Sequence, residues 1–407
     1  MLHILALTGL TTFPLPILGR TWTVDDTPGP GVDFATLQAA FDAAAPNDVI
    51  LVQPGAYAGG VLAKGLRVVG QGDPVVSGLL RIEGLPPRAL AVVSGLRGAT
   101  LTSSLMVRVA DSPGTVVLED VTLGGLAVLD AADVRLRGIE PALARARLEI
   151  TRARVEAVEC TFRGEDGPNQ WCGTPADPTG LPGARLFQGG ILHAARSSFF
   201  GGMGGNSGCP DLGLVEPGGD GGGGISVWGT TGAPCELLVS GVATDLLTGG
   251  LGGWSSLYGQ ASAGHGIDLY SCSARISGVT VASTYVYPSP PSTIATPALP
   301  DPTMRLLEVP TAGTNLTFRV VAPPGANARM SLGALPVVVP IGGVEEDVLV
   351  ARAQSFELGT VPPSGVQGFN FALPAAWPAG TTFFAQATLT YPGGELRRTH
   401  SIPVVVR

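Results

Sequence analysis

The sequence predicts an all-β protein: a solenoid of short parallel strands with an N-terminal capping helix, followed by a small β-sandwich. Three observations support this fold class. Charged residues make up only 14% of the 407 residues, whereas glycine occurs 59 times and proline 35 times, which favours turn-rich β structure over long helices. Short apolar alternations recur roughly every ten residues without helices between them. The last part of the chain contains short apolar runs divided by Pro and Gly turns, as in a sandwich.

The charge pattern restricts the classes of partner. The net charge is −8 and the chain contains no basic run, so the cationic surface that nucleic-acid binding requires is missing from the sequence. An acidic chain also repels polyanionic ligands unless local arginines or a bound cation offset the charge. We therefore expect a partner other than nucleic acid.

Residues 1–20 are predicted to be a signal peptide. They form an apolar run without an acidic residue, and Pro14 and Pro16 break it, so it is too short for a membrane span. The alternative is an N-terminal strand of the mature fold, because a basic start and a small-residue cleavage site are both missing. A signal peptide implies a secreted or cell-surface protein, bacterial extracellular or periplasmic, without a membrane span in the mature chain.

The solenoid is predicted over residues 21–284. Asp33 is expected to cap a short amphipathic helix that runs to about Ala45 and closes the entry. Beyond it, strand-length alternations come in pairs, and they suit a stack whose inward side chains lie rung upon rung. The first runs of these pairs begin at Leu66, Leu80, Val107, Leu126, Leu148, Ile225 and Ile267.

Three long, Gly-rich, polar loops interrupt the array at residues 164–183, 201–224 and 249–264. Each loop leaves after the second strand of a repeat and returns just before a new strand. Equivalent positions on successive rungs lie about 4.8 Å apart, so these loops should stack on one flank. Long loops on one face of a repeat array usually carry its function, so we expect the functional surface on this flank.

Two further segments follow the solenoid. Residues 285–302 are rich in Pro, Ser and Thr, which predicts a linker because such a composition stiffens a chain without giving it a core. Residues 303–407 are predicted to fold as a β-sandwich. No catalytic spacing occurs in it, so attachment, binding or capping is its expected role.

The entry of the solenoid resembles a known superfamily. From Asp33 to Tyr57 the chain is similar to the helix and first strand that close right-handed parallel β-helices of the pectin-lyase-like superfamily. This resemblance implies a right-handed parallel β-helix over residues 21–284. The C-terminal part looks like the small sandwiches of secreted bacterial proteins.

A tripeptide within the third loop region resembles a catalytic motif. Gly264-His265-Gly266 is similar to the Gly-His-Gly of polygalacturonases, which implies a catalytic role for His265. The other features of that family are missing, because the one Asp-Asp pair is Asp25-Asp26, ahead of the solenoid, no Asn-Thr-Asp occurs, and the single lysine, Lys64, lies far upstream. Inverting hydrolysis needs an acid and a base on opposite sides of the bond.

We therefore predict that His265 is a strand-entry residue beside the binding flank rather than a catalytic acid or base. It is expected in the slot that Gly189 and Gly223 take before equivalent strands. Asp268 is the nearest carboxylate in the sequence, but residues three apart on a strand point to opposite faces, which places the two poorly for cooperation.

Other acidic residues could share a site if the protein is an enzyme. Pectate lyases use calcium held by Asp residues and an arginine base, and methylesterases use a pair of Asp residues with an arginine. Asp130 and Asp133, or Glu165 and Asp166 with Arg163, are spaced closely enough for this, although solvated surface is the simpler interpretation. The catalytic set is thus unknown, with His265, Asp268, Glu165, Asp166 and Arg163 as candidates; no cofactor is expected except Ca²⁺ for a lyase.

The long loops carry candidate sugar-binding residues. Aromatic rings stack on the apolar faces of sugars, while polar side chains bond the hydroxyls. In the alternative interpretation the rings fold under the loops as satellite clusters. The aromatic candidates are Trp171, Trp254 and Tyr258, and the predicted hydrogen-bonding partners are Asn169, Gln170, Gln260 and Asp268.

The five cysteines do not have the close pairwise spacing of zinc sites, so no metal site is predicted. Cys172 and Cys209 lie in neighbouring loops and are disulfide candidates in an oxidising compartment. Cys160, Cys235 and Cys272 fall within strand patterns and are expected in the core.

The leading prediction is a secreted, monomeric β-helix protein that binds an extracellular or cell-surface polysaccharide and has no complete catalytic set. One alternative is a polysaccharide lyase or a glycoside hydrolase, polygalacturonase-like, with a divergent site on the same flank. The other is a structural surface protein or adhesin. An exposed aromatic strip would favour the binder, and an acidic pair across the flank would favour the enzyme.

Overall fold

The protein is nearly all β in the part of the chain that the computed structural model describes, with a large parallel sheet and antiparallel sheets at the C-terminus. Leu37–Ala43 is the one α-helix among these residues, and none of their helices is long and apolar enough to cross a membrane. The structure describes residues 19–99, 105–142, 146–171, 178–208, 217–255, 259–286, 292–297, 301–333, 337–341, 344–348 and 354–407.

Two parallel ladders of strands dominate the fold, and they share two long strands that run through both. Each strand pairs in register with the strand one repeat later. The first ladder consists of Val61–Leu62, Leu79–Glu83, the first halves of Met106–Glu119 and Gly125–Arg137, Arg147–Thr151, Ala184–Phe187, Ile225–Trp228, Ile267–Tyr270 and Thr284–Val286.

The second ladder lies alongside the first. Its strands are Thr21–Val24, Val49–Val52, Arg67–Gly70, Leu90–Ser94, the second halves of Met106–Glu119 and Gly125–Arg137, Arg154–Val158, Ile191–Ala195, Cys235–Ser240, Cys272–Ser277 and Thr293–Ala295.

A third set of short parallel strands completes each repeat. Three sets that advance together along the chain are consistent with a β-helix. The strands of the third set are Ala56–Ala58, Val75–Ser77, Arg97–Gly98, Thr122–Leu123, Glu140–Pro141, Thr161–Arg163, Ser198–Phe200, Leu246–Thr248 and Thr280–Val281.

Period-two alternation decides which side chains fill the interior. In Arg147–Thr151, Leu148 and Ile150 are fully buried, whereas Glu149 is only half-buried. The buried residues of successive strands form one continuous apolar cluster that extends from Val24 to Ala274. The alternations therefore identified the inward-facing side chains correctly.

The N-terminal end of this core is closed by the helix, as predicted, but its cap is a different residue. The helix begins after Thr36, whose hydroxyl accepts a hydrogen bond from the Ala39 N–H at 3.3 Å. The prediction of Asp33 as the cap is wrong, because its carboxylate already accepts the Thr23 N–H at 2.8 Å.

The single lysine stabilises the other end of the helix. Lys64 Nζ donates to the backbone carbonyls of Phe41, Asp42 and Ala44 at 3.1, 2.8 and 2.8 Å. A cation at a helix C-terminus also interacts favourably with the helix dipole. The helix ends at Ala43, two residues earlier than the sequence indicated.

The last parallel strands extend into the Pro-, Ser- and Thr-rich segment. Thr284–Val286 pairs with Ile267–Tyr270, and Thr293–Ala295 pairs with Cys272–Ser277. Both added strands are exposed, so they form the outer edge of the ladders among the described residues.

The C-terminal part is an antiparallel β-sandwich. Its two sheets share one apolar cluster that contains Phe318 and Phe369 from one sheet and Met330 and Leu389 from the other. One sheet consists of Thr303–Leu306, Asn315–Val321 and Val366–Ala372. The other consists of Gln354–Thr360, Asn327–Gly333, Thr382–Thr390, Leu396–Arg398 and Ile402–Val405. Val337–Ile341 and Val344–Val348 form a separate antiparallel pair.

The sandwich packs against the outer face of the second ladder. Polar contacts include Arg137 Nη1 to the Pro403 carbonyl at 3.2 Å and a contact of 3.3 Å between Ser240 Oγ and His400 Nε2. This face of the solenoid is therefore covered by the sandwich along much of its length. The apolar contacts join Val49, Val69, Val92 and Val117 to Phe384 and Val405.

Candidate functional site

The three long loops stack on one flank, as predicted, and their glycine-rich segments pack into a bundle. We call residues 164–168, 178–182, 201–205, 217–222, 249–253 and 261–264 the glycine bundle. Backbone hydrogen bonds between its segments recur every third residue, as in Gly201 N to Thr248 O and Gly204 N to Leu251 O, both 2.8 Å. A three-residue repeat is the period of a polyproline II conformation, whose backbone groups all point outward to neighbours.

Glycine is required in the bundle because the segments approach each other closely. A Cβ on Gly250 would lie 1.9 Å from the Gly202 carbonyl oxygen, and one on Gly222 would lie 2.2 Å from the Leu181 oxygen. Neither glycine has a positive φ, so close approach, and not backbone conformation, selects the residue. The described segments of the loops are thus closely packed against one another.

Side chains of the bundle and of the residues just beyond its segments form two rows that cross the loops, one from Asp166 to Met203 and one from Asn169 through Asn206 to Trp254. The polar members bond the backbone of the next loop: Asp166 Oδ1 accepts from Met203 N at 2.8 Å, Asn169 Oδ1 from Asn206 N at 2.9 Å, and Asn206 Oδ1 from Trp254 N at 2.7 Å. Asn169 and Asp166 therefore help to hold the stack together, a role the sequence analysis missed.

Trp254 ends one of these rows and is 56% exposed. It lies opposite Gln260 in a short antiparallel pair, and Gln260 Nε2 donates to the Gly252 carbonyl at 3.3 Å. Leu251, three residues earlier, is also exposed. More than half of the Trp254 surface is therefore accessible to solvent.

A second aromatic feature lies on the outer face of the first ladder. Phe187, Trp228 and Tyr270 occupy the same register position on successive strands, and the Trp228 and Tyr270 ring centroids are 5.5 Å apart. Trp228 is 39% exposed. The column was not predicted from the sequence, although the runs ARLF, ISVW and IDLY each end in an aromatic residue.

Asp268 lies on the same strand as Tyr270 of this column, and His265 lies just before that strand. Ser226 Oγ donates to Asp268 Oδ2 at 3.2 Å. Burial raises the pKa of Asp268 above its ordinary value, and the charge of His265 opposes this shift. Strand alternation does not apply to His265, because it precedes the strand Ile267–Tyr270. That the two residues are poorly placed to cooperate therefore stays a prediction.

The surroundings of His265 fit a strand-entry position. Its Nδ1 lies 3.1 Å from Ser283 Oγ, and its ring stacks on Tyr285 with centroids 5.4 Å apart. The register of Ile225 with Ile267 places Gly223 at the equivalent position one rung earlier, as predicted. Gly189 does not belong to this position, because it lies in the turn between the first and second ladders.

The remaining acidic candidates are on earlier rungs. Glu165 lines a pocket of roughly 270 Å³ with Arg147 and Glu149 on the face of the first ladder. Arg163 ends a strand of the third set, where its backbone pairs with Ala146. The loop that carries Glu165 begins on the rung of Arg147–Thr151, three rungs before the strand that contains Asp268. At the usual strand spacing these two rungs are about 14 Å apart, so Glu165 and Asp268 do not form one acid pair.

Asp130 and Asp133 form ion pairs with two different arginines. Asp130 accepts both a 2.7 Å and a 2.8 Å hydrogen bond from the exposed Arg152. Asp133 pairs with the buried Arg135 at 2.9 Å, under the sandwich. These contacts fit structural ion pairs better than a shared catalytic site.

Several predicted residues fall on parts of the chain whose side chains or positions are not described. Gln170–Trp171 forms a backbone strand with Ser207–Gly208. The side chains of Gln170 and Trp171 are not described. Tyr258, Cys172, Cys209 and residues 1–18 lie outside the described residues. The roles predicted for all of these stay predictions. Cys160, Cys235 and Cys272 are free and buried, as expected for core residues.

The chain was also compared with known proteins. No protein-family model and no curated protein matches it.

Proposed function

We propose that this chain is a right-handed parallel β-helix of the pectin-lyase-like superfamily that is secreted and binds an extracellular or cell-surface polysaccharide as a monomer. The binding surface is the outward side of the glycine bundle together with the adjoining face of the first ladder. The observation that carries this proposal is the exposed ring of Trp254 on a closely packed backbone platform.

The chemistry of this surface suits a sugar chain. An aromatic face packs against the apolar face of a sugar ring, and nearby amide groups bond its hydroxyls. Trp254 supplies the ring, and Gln260, opposite it, supplies an amide. Because the segments of the bundle are already packed, binding does not have to order these segments first, which lowers the entropic cost of association.

Replacing Trp254 by alanine should weaken glycan binding at least tenfold, equivalent to about 1.4 kcal/mol. Tyrosine at the same position should retain part of the affinity because it keeps a stacking ring. The matched control is Leu251→Ala, which removes an equally exposed apolar side chain without a ring and should change affinity less than twofold. Binding is measured on an array of neutral and acidic polysaccharides and then by calorimetry on the best ligand.

Two results would contradict this assignment. One is an array without any glycan bound above background, which leaves the structural surface protein as the better description. The other is equal loss of affinity in both variants, which would show that general apolar contact, and not ring stacking, drives binding.

The enzyme alternative has one specific observation in its favour. Asp268 combines a pKa raised by burial with a place beside Trp228 and Tyr270, and a protonated carboxyl is what a glycosidase acid needs. If the protein cleaves polygalacturonate, Asp268→Asn should reduce the rate at least a hundredfold, whereas Glu140→Gln on an exposed strand should not. Cleavage that needs Ca²⁺ and forms an unsaturated product would indicate a lyase instead.

A further inference from the structure

We propose that Glu156, His193 and His400 form a binding site for a divalent transition-metal ion, Zn²⁺ above all, which links the solenoid to the sandwich. Each of these residues offers one ligand atom, and the three atoms lie within 4.8 Å of one another. Nitrogen and carboxylate ligands of this kind suit zinc. The site lies away from the glycine bundle and does not depend on the proposed glycan binding.

The three residues are brought together by the fold. Glu156 and His193 are register partners on successive strands of the second ladder, and both are buried. His400 comes from the sandwich, and its ring centroid lies 6.2 Å from that of His193. The three line one pocket of roughly 140 Å³, whose wall also contains Arg275, Arg397 and Arg398. Because the ligands are far apart in the chain, no sequence motif indicates the site.

The groups around His193 prepare it to bind a metal through Nδ1. Arginine can only donate hydrogen bonds, so the 3.3 Å contact with Arg154 Nη2 requires Nδ1 to carry a lone pair. The proton is then on Nε2, which donates to Glu236 Oε1 at 2.9 Å. A carboxylate on the second ring nitrogen is the usual partner of a metal-binding histidine.

A cationic group already lies between two of the ligands. Arg154 Nη2 is 3.2 Å from Glu156 Oε1 and 3.3 Å from His193 Nδ1. These contacts are longer than those of a strong charge-assisted bond. Arg135 holds the other oxygen, Glu156 Oε2, at 2.7 Å, and can keep that contact when an ion binds to Oε1. Metal binding thus replaces the guanidinium of Arg154, which acts as a competing cation.

Competition between the ion and Arg154 predicts changes in metal affinity that a purely structural role of these residues would not produce. Tag-free protein is titrated with ZnCl₂ by calorimetry and with CoCl₂ by visible absorption, and the unfolding midpoint is followed with and without metal. We expect one ion per chain and a higher midpoint with Zn²⁺. His193→Gln and His400→Gln should each weaken binding about tenfold to a hundredfold.

Arg154→Gln should have the opposite effect and tighten binding about tenfold, because it removes the competing positive charge. The matched control is Arg152→Gln, which removes an exposed arginine two residues away and should leave affinity unchanged. His265→Gln controls for binding by an unrelated histidine. Circular dichroism verifies that each variant is folded.

Three results would overturn the proposal. They are absence of one-to-one binding by the natural chain at millimolar metal, binding that survives both histidine substitutions, and binding that only the Arg154→Gln variant shows. The last result would mean that arginine permanently fills the site in the natural protein.

Discussion

Replacing Gly250 by alanine should lower the free energy of unfolding by about 3 kcal/mol. The new Cβ would lie 1.9 Å from the carbonyl oxygen of Gly202, 2.4 Å from its carbonyl carbon and 2.9 Å from Met203 N. All three atoms belong to the backbone, so no side chain can rotate away and the segments of the glycine bundle must separate. Separation stretches the hydrogen bond from Gly250 N to the Gly222 carbonyl, now 2.8 Å.

Urea or thermal unfolding measures this effect, with Gly232→Ala as the matched control. Gly232 is exposed, has no positive φ and has no atom within 4 Å of the added Cβ, so alanine there should be neutral or slightly stabilising. Equal unfolding midpoints for the two variants would contradict the close packing of the bundle. A bundle that opens should also lose glycan affinity, because Trp254 is held by its neighbours.

The solenoid could be predicted from the sequence because its core depends on local alternation. Leu148 and Ile150 face inward for the same reason that Ile267 and Leu269 do, and each run can be recognised without knowing its partner. The stacking of the long loops followed from the same regular spacing. The N-cap of the helix could not be predicted in the same way. Asp33 and Thr36 both carry a side-chain oxygen that can accept a backbone hydrogen bond, and only the path of the chain decides which of them caps the helix.

The features that the sequence did not predict depend on contacts between distant residues. Arg135 and Ser401 meet at the interface between solenoid and sandwich, and no local pattern indicates that encounter. The glycine bundle was interpreted as polar loops, because composition alone does not distinguish glycine chosen for mobility from glycine chosen for close packing. The column of Phe187, Trp228 and Tyr270 becomes visible only when the repeats are aligned, because the three residues are about 40 positions apart in the chain.

The interface between solenoid and sandwich contains a buried carboxyl group with an unusual pKa. Burial of Glu119 raises its pKa from 4.5 to about 7, while Arg137 and Arg407 oppose the shift and Asp120 adds to it. Glu119 Oε1 pairs with Arg137 Nη1, and Oε2 is buried without a hydrogen-bond partner among the described residues. Desolvation of the charged form outweighs the ion pair, so we expect the protonated form of Glu119 to be favoured in the folded protein below about pH 7.

The folded protein should therefore lose stability as the pH rises from about 4.5 to 7, by roughly 3 kcal/mol from this group alone. The sign follows from the raised pKa: the folded state binds the proton more tightly than the unfolded state, so its advantage is complete below the unfolded pKa and lost above the folded one.

Glu119→Gln should remove this dependence and leave the variant closer in stability at pH 5 and pH 8. Urea unfolding at both values measures the difference, and Glu140→Gln, on an exposed strand, should keep the natural dependence. A pH dependence that is the same in the natural chain and in Glu119→Gln would mean that Arg137 keeps the carboxyl ionised and that the ion pair, and not desolvation, governs this part of the interface.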